Sequence, residues 1–258
     1  MTPANPHLSP KAEHGVAAVT FTRPDKGNAY DRAMLRTLAE LLTRAGEDAS
    51  VRMLVLRGEG RHFCAGAEIG ADERDGGASG PTIADVCHQL DGLPKPTLAL
   101  VHGACVGGGM ALAACCDVVI AERGAFFALP EVRLGFSPDP LIPIVLGALG
   151  ARQARRLIVS GERFGAEEAL RIGLVHHLCE PDEAEAALAR AIAEIMQAAP
   201  RAAARAKAMT RRLKDAAVTP ELIAELQDGF RSAQGSEEAQ EGRAAFREKR
   251  KPRWSAGE

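Results

Sequence analysis

The chain has 258 residues, 46% hydrophobic and 26% charged, a balance that supplies an ample core and excludes disordered and collagen-like classes. Its 32 basic and 34 acidic side chains leave a formal charge of -2, so no electrostatic excess is available to hold a polyanion. One Trp, one Tyr and eight Phe are too few for the stacking platforms that read single strands, and nucleic-acid binding is disfavoured on both counts.

After a polar start to about His14, Val16 to Thr22 reads as a buried strand, closed by the turn Arg23-Pro24-Asp25-Lys26-Gly27. From Asp31 to Ala45 the apolar residues Met34, Leu35, Leu38, Leu41, Leu42 and Ala45 recur at helical spacing, with Asp31 as the N-cap. Met53 to Leu56 is a short strand that runs on into the loop His62-Phe63-Cys64-Ala65-Gly66-Ala67-Glu68. The Gly- and charge-rich stretch Asp72 to Pro81 reads as a mobile loop. Ile83, Val86, Cys87 and Leu90 mark a second helix, Thr97 to Val101 a strand, and a glycine loop follows. Met110 to Cys116 is expected to be helical, Asp117 to Ala121 a strand, Ala125 to Leu129 another, and Val175 to Leu178 the last. Strand, turn and helix recur without a repeat of fixed period. Beyond Pro181, Ala-, Glu- and Arg-rich helical segments continue to Lys251, broken at Pro200, Pro220 and Gly235.

The cysteines Cys64, Cys87, Cys105, Cys115, Cys116 and Cys179 allow three disulfides by number. A chain of this length needs no such staples and shows no secretory leader, so reduced thiols and a cytoplasmic setting are expected. No Cys-x-x-Cys pair is present. His102 with Cys105 and His177 with Cys179 fall short of the four ligands of a structural zinc, so no metal is expected. The run from Pro96 to Cys116 lacks Asp, Glu, Lys and Arg and is long enough by count to cross a bilayer. Pro96, Gly103 and Gly107-Gly108-Gly109 interrupt it, which predicts a buried strand, loop and helix instead.

Gly107-Gly108-Gly109 stands after a predicted strand and before a predicted helix, where backbone can approach a ligand and free N–H groups can face negative charge. Close packing of helix on sheet accounts for the same glycines. Neither the Gly-x-Gly-x-x-Gly spacing nor a phosphate-loop Lys is present. Ala65-Gly66-Ala67 supplies a second small-residue loop, and one N–H from each loop would make a two-donor oxyanion hole. Glu131 lies in Leu129-Pro130-Glu131-Val132, an apolar setting where desolvation raises a carboxyl pKa toward acid and base use. A surface Glu after a Pro is its plainer reading, and Asp139, between Pro138 and Pro140, reads first as a turn residue. Ser-His-Asp catalysis finds no Gly-x-Ser-x-Gly elbow.

Together these segments carry a resemblance. The ordered motifs are His62-Phe63-Cys64-Ala65-Gly66-Ala67-Glu68, then Pro94-Lys95-Pro96 leading to Val101-His102-Gly103-Ala104-Cys105-Val106-Gly107-Gly108-Gly109, then Cys116-Asp117, then Leu129-Pro130-Glu131-Val132-Arg133-Leu134-Gly135. In order and spacing they resemble the crotonase family, the enoyl-CoA hydratases and isomerases. The likeness continues through Ser160-Gly161-Glu162-Arg163-Phe164, Ala169, Gly173-Leu174-Val175 and the ending Glu241-Gly242, Phe246 and Lys249-Arg250-Lys251-Pro252, and covers nearly the whole chain. It implies an α/β fold: a repeated ββα superhelical spiral over residues 1–195 with the coenzyme A and active site, and an all-helical subdomain over 196–258 for assembly as a homotrimer or homohexamer. It implies an oxyanion hole at the backbone N–H groups of Ala67 and Gly108, Ala65 and Ala67 along the adenine-contacting stretch, and Gly107 among the residues that bind the acyl-CoA substrate. Lys26 would meet the coenzyme A phosphates, and Phe246 and Lys249 would reach a neighbouring subunit's nucleotide. Solvated surface charge is the competing reading of Lys26 and Lys249. Coenzyme A enters as part of the substrate, and no separate cofactor is implied.

One position departs from the pattern. Hydratases of the common type carry a Glu two residues after the glycine run and another after the following Pro; here the first place is Ala111, and only Glu131 matches the second. Hydration needs a base on water and a proton for the α carbon, which one carboxylate can supply in turn. Isomerisation needs only one base to move a proton between C2 and C4. Asp139 falls where dienoyl-CoA isomerases keep a second acid, although those enzymes also have an Asp where Ala111 stands. The Arg133-Leu134-Gly135 neighbourhood, Ala111 and Gly150-Ala151-Arg152-Gln153-Ala154-Arg155-Arg156 are more similar to bacterial branched-chain hydratases of the methylglutaconyl-CoA type. The expected activity is therefore hydration of a 2-enoyl-CoA. Double-bond isomerisation, decarboxylation or other enolate chemistry, and a catalytically silent acyl-CoA-binding scaffold are the alternatives. An acyl group with a distal carboxylate would need a cation, for which Arg74, Arg133 and His88 are candidates.

Overall fold

A computed structural model describes residues 7–70 and 80–255, so Arg74 and nearly all of the expected loop from Asp72 to Pro81 lie outside the described residues. In chain order the first unit contains β1 (Leu8–Glu13), β2 (Val16–Phe21), α1 (Arg32–Glu47), β3 (Met53–Gly58), α2 (Ile83–Asp91) and β4 (Thr97–Val101). There follow β5 (Ala104–Val106), α3 (Gly108–Ala114), β6 (Val118–Glu122), β7 (Phe126–Ala128) and α4 (Ile142–Ser160). It continues with β8 (Phe164–Gly165), α5 (Ala166–Arg171) and β9 (His177–Cys179).

A six-stranded sheet has the order β1-β2-β3-β4-β6-β9, antiparallel only at its β1-β2 hairpin and parallel from there on. A second sheet, β5-β7-β8, is continued by single parallel bridges at Tyr30 with Ala67 and Cys64 with Cys105. Each turn of the chain thus gives a strand to the large sheet, a strand or a bridge to the second layer, and a helix, which is the expected ββα spiral. The helices bury one face: on α1 Met34, Leu35, Leu38, Leu42 and Ala45 are buried, and Asp31 Oδ1 accepts from Met34 N at 2.8 Å as its cap. A capping box between Thr82 and Asp85 opens α2. Every residue of β4 is buried, as a parallel strand covered on both faces requires.

Three expectations need correction. The polar start is a strand, because Lys11 and Glu13 sit exposed on an edge where polarity is tolerated, and His14 and Gly15, both at positive φ, make the turn into β2. The glycine loop after Val101 contains β5, which pairs in parallel with Phe126–Ala128, and α3 begins at Gly108 rather than at Met110. Helix α4 gives little periodic signal because Gly150, at φ 71 and ψ 162, breaks its regular backbone. The uncharged run from Pro96 to Cys116 is shared among β4, β5 and α3, and no helix of the described residues is long and apolar enough to cross a membrane.

The described residues divide into two units, one within 1–93 and 97–189 and the other within 94–96 and 190–258. From α6 (Ala184–Met196) the chain enters the second unit, made of α7 (Pro200–Leu213), α8 (Pro220–Gln234) and α9 (Glu237–Glu248). Pro200 and Pro220, which read as breaks, stand in the first turn of α7 and α8, where a missing N–H costs nothing. The Glu238 carboxylate caps α7, accepting from Arg201 N at 2.9 Å and Ala202 N at 3.0 Å, and Trp254 Nε1 donates to Gln197 O at 2.9 Å.

Candidate active site

The segment after β3 is bonded on two sides. Phe63 N donates to His102 O at 2.9 Å, Cys64 N to Ala104 O at 3.0 Å, and Val106 N to Cys64 O at 3.0 Å. His62 Nδ1 accepts from Ala104 N at 3.0 Å. Farther on, Ala65 N donates to Gly27 O at 2.9 Å, Tyr30 N to Gly66 O at 2.9 Å and Glu68 N to Tyr30 O at 2.8 Å. Peptide groups alternate in direction along extended chain, so a Gly66 carbonyl and a Glu68 N–H that both face Tyr30 turn the Ala67 N–H the other way. Among the described residues no backbone carbonyl accepts it.

Gly107 begins α3 at φ 56 and ψ -126, a conformation that favours glycine, and its N–H donates to Ala128 O at 2.9 Å. The first bond inside the helix is Ala111 N to Gly107 O, which leaves the Gly108 N–H among the first-turn donors with no helical partner. Packing is as demanding here as ligand approach. A Cβ at Gly107 would stand 2.8 Å from Glu131 Oε1, one at Gly108 would overlap Tyr30 Oη, and one at Gly109 would stand 2.6 Å from Cys64 O.

Glu131 lies in a single 3-10 turn, Pro130–Leu134, with Pro130 opening it. Its Oε1 faces Gly107, and its Oε2 is buried with no hydrogen-bond partner among the described residues. Burial raises its pKa above the ordinary carboxyl range. The Gly107 Cβ position that meets this carboxylate is also 3.9 Å from Gly66 Cα, so both small-residue loops and the carboxylate meet at one place. Ala111, one turn into α3, is fully buried and apolar. Cys64 in the same neighbourhood is no nucleophile at neutral pH: burial pushes its thiol up to about 12, and all six cysteines are free and buried.

The other predicted residues are placed less closely. Asp139 is exposed at the start of the turn Asp139–Leu141, and among the described residues its carboxylate makes no hydrogen bond or ion pair. Lys26 is half exposed, with its Nζ 3.8 Å from Glu68 Oε1, and the following Gly27 bonds Ala65, so Lys26, Ala65 and Ala67 share one neighbourhood. Phe246 and Lys249 are exposed on the second unit, where Lys249 ends α9 at φ 52.

A cavity of about 180 Å³ lies beside Ala67, walled by Tyr30, Arg32, Leu35, Thr82 and Ile83 among others. Two of the three cations considered for a distal carboxylate do not line it: Arg133 Nε donates to Ser160 O at 3.0 Å, and His88 is exposed on α2. Arg32 does. Sequence reasoning passed over Arg32 because it reads as a first-turn helix residue. It also passed over Tyr30 and the ion pair of Arg23 Nη1 with Glu68 Oε2 at 2.7 Å, whose side chains are each 12% exposed. No periodicity or motif marks these; their contacts are between segments far apart in sequence.

Residues 11–257 match the family model described as Enoyl-CoA hydratase/isomerase. A 2,3-dehydroadipyl-CoA hydratase of Escherichia coli K12 is similar at 32% identity, covering 92% of this chain and 94% of its own. Among solved structures, AtuE of Pseudomonas aeruginosa superposes with a TM-score of 0.90 at 36% identity, covering 96% of this chain and 99% of its own. An enoyl-CoA hydratase of Shewanella pealeana gives a TM-score of 0.90 at 32% identity, covering 96% of each chain.

Proposed function

The chain belongs to the enoyl-CoA hydratase/isomerase family, and from that premise we propose that it adds water across the C2=C3 bond of a 2-enoyl-CoA thioester. The Ala67 and Gly108 N–H groups hold the thioester oxygen. Glu131, as carboxylate, takes a proton from water while the water oxygen bonds to C3 and the π electrons move through C2 and C1 onto the thioester oxygen. Protonated Glu131 then returns the proton to C2, restoring the thioester and the carboxylate, with one water added and no group lost. Each oxyanion donor is worth about 100- to 1,000-fold in such reactions. The observation that carries this reading is the Glu131 carboxylate, one oxygen against Gly107 and the other buried without a partner among the described residues, a placement suited to gaining and losing a proton.

Gly107 would flank the thioester, Ala65 and Ala67 the adenine, and Lys26 the phosphates. Phe246 and Lys249 would reach the nucleotide of a neighbouring subunit in a homotrimer or homohexamer. Residues 1–195 form the catalytic core in this reading and 196–258 the assembly subdomain. The enzyme works in the cytoplasm, on a branched acyl group, with no metal or separate cofactor and no nucleic-acid partner. Isomerisation is the second reading, favoured by Ala111, since moving a proton from C4 to C2 uses one base. A panel of enoyl-CoA thioesters, followed by loss of conjugated absorbance and by product mass, tests the assigned reaction. Mass gain by one water supports hydration. Rearrangement without mass change would replace it with isomerisation, and no turnover on any thioester would leave an acyl-CoA-binding scaffold, with Asp139 and Glu131 both idle.

A further inference from the structure

Tyr30, the one tyrosine of the chain, lies beside both of the residues whose N–H groups are assigned to the thioester oxygen. Its main chain makes the bridge that turns the Ala67 N–H outward, through Tyr30 N to Gly66 O and Glu68 N to Tyr30 O. Its phenol lies against the other donor's residue: a Cβ on Gly108 would overlap Tyr30 Oη and stand 2.8 Å from its Cζ. The ring is buried, and the chain is fixed on either side of it. Asn28, fully buried, accepts from Arg23 N at 2.8 Å and donates to Glu59 O at 2.9 Å and His62 O at 2.6 Å. Asp31 caps α1 and lies 3.6 Å from Arg23 Nη1, the same nitrogen that pairs with Glu68.

We propose that Tyr30 is a positioning residue for the oxyanion site, a strut whose backbone orients the Ala67 N–H and whose phenol sets the place of the Gly108 N–H. This rests on the assignment of those two N–H groups to the thioester oxygen. That oxygen gains its full charge only during reaction, so an error in donor spacing weakens the transition state more than the bound ground state. Turnover falls and KM holds.

The test compares wild type with Tyr30→Phe, which keeps the ring and loses the hydroxyl, and Tyr30→Leu, which loses the ring. Turnover and KM are read on the thioester that the panel identifies. In parallel, bound cinnamoyl-CoA reports carbonyl polarisation by the red shift of its absorbance. Tyr30→Phe should lower kcat about tenfold and Tyr30→Leu about 100-fold, with KM within about twofold. The red shift should shrink in the same order while the Kd for cinnamoyl-CoA stays constant. A merely structural role would lower the melting temperature and leave the red shift of bound ligand unchanged, and that result overturns the strut. Unchanged kcat and red shift in folded Tyr30→Phe and Tyr30→Leu overturn it as well. Absence of any red shift in the wild type would instead remove the oxyanion assignment, and the strut with it.

Discussion

At the scale of single residues, the pH behaviour of Glu131 follows from its surroundings. Burial disfavours the charged carboxylate, so the folded pKa lies above the unfolded one and the native state holds its proton to higher pH. The sign is therefore fixed: the stability associated with this group is present below the unfolded pKa and is lost as pH rises through the folded pKa. Glu131→Gln should be more stable than wild type near neutral pH and lose that advantage in acid, measured by denaturant unfolding across pH. For catalysis the base must be ionised, so the acid limb of kcat/KM in the wild type should fall above the ordinary glutamate range of about 4.3. Replacing Ala67 by Pro deletes one donor, and a folded variant should lose about 100- to 1,000-fold in turnover. Near-normal turnover in a protein of native circular dichroism would remove Ala67 from the site. Glu131 and the two loops were legible in sequence through an apolar setting, small-residue runs and the family resemblance. Tyr30 was not, because its role lies in contacts with Ala67 and Gly108 that no local pattern encodes.

Among the elements, those with strong periodicity are legible in the sequence. Helix α1 announces itself by six apolar residues at helical spacing behind an Asp cap, and β4 by an unbroken apolar run before its parallel neighbours. The short strands β5 and β8 carry three and two residues, too few for any period, and exist because neighbouring backbone completes them. Sequence pattern places the start of α3 at Met110, two residues late, because glycine argues against helix, whereas here it is required by what lies beside it. Gly107 shows this most sharply. Alanine there meets both a positive φ and the Glu131 carboxylate, so Gly107→Ala should lower stability by about 1–3 kcal/mol in denaturant unfolding and displace the base. Turnover should fall more than 100-fold, on the order of what a catalytic group displaced by about 1 Å costs. Retention of both stability and turnover would show that the α3 junction tolerates a side chain.

For the whole molecule, the second unit poses the question of what covers it. Helices α7 and α8 bury no residue, and Phe230 and Phe246 are 64% and 86% exposed. In the proposed homotrimer or homohexamer, other copies of the chain would cover such apolar surface. Light scattering should give three chains or six, and an active monomer would contradict the assembly. Removal of residues beyond Gly235 should weaken binding of coenzyme A esters as Phe246 and Lys249 are lost; unchanged affinity would take both out of the site. One-carboxylate hydration is tested most directly by kcat and ligand affinity measured side by side for Glu131→Gln and Asp139→Asn. With Ala111 unable to share the proton, Glu131→Gln should lose about 10,000-fold or more in turnover while binding the thioester nearly as well as wild type, and Asp139→Asn should lose only a few-fold. Full activity in a folded Glu131→Gln protein would contradict the mechanism, and an equal collapse in Asp139→Asn would replace one carboxylate with two.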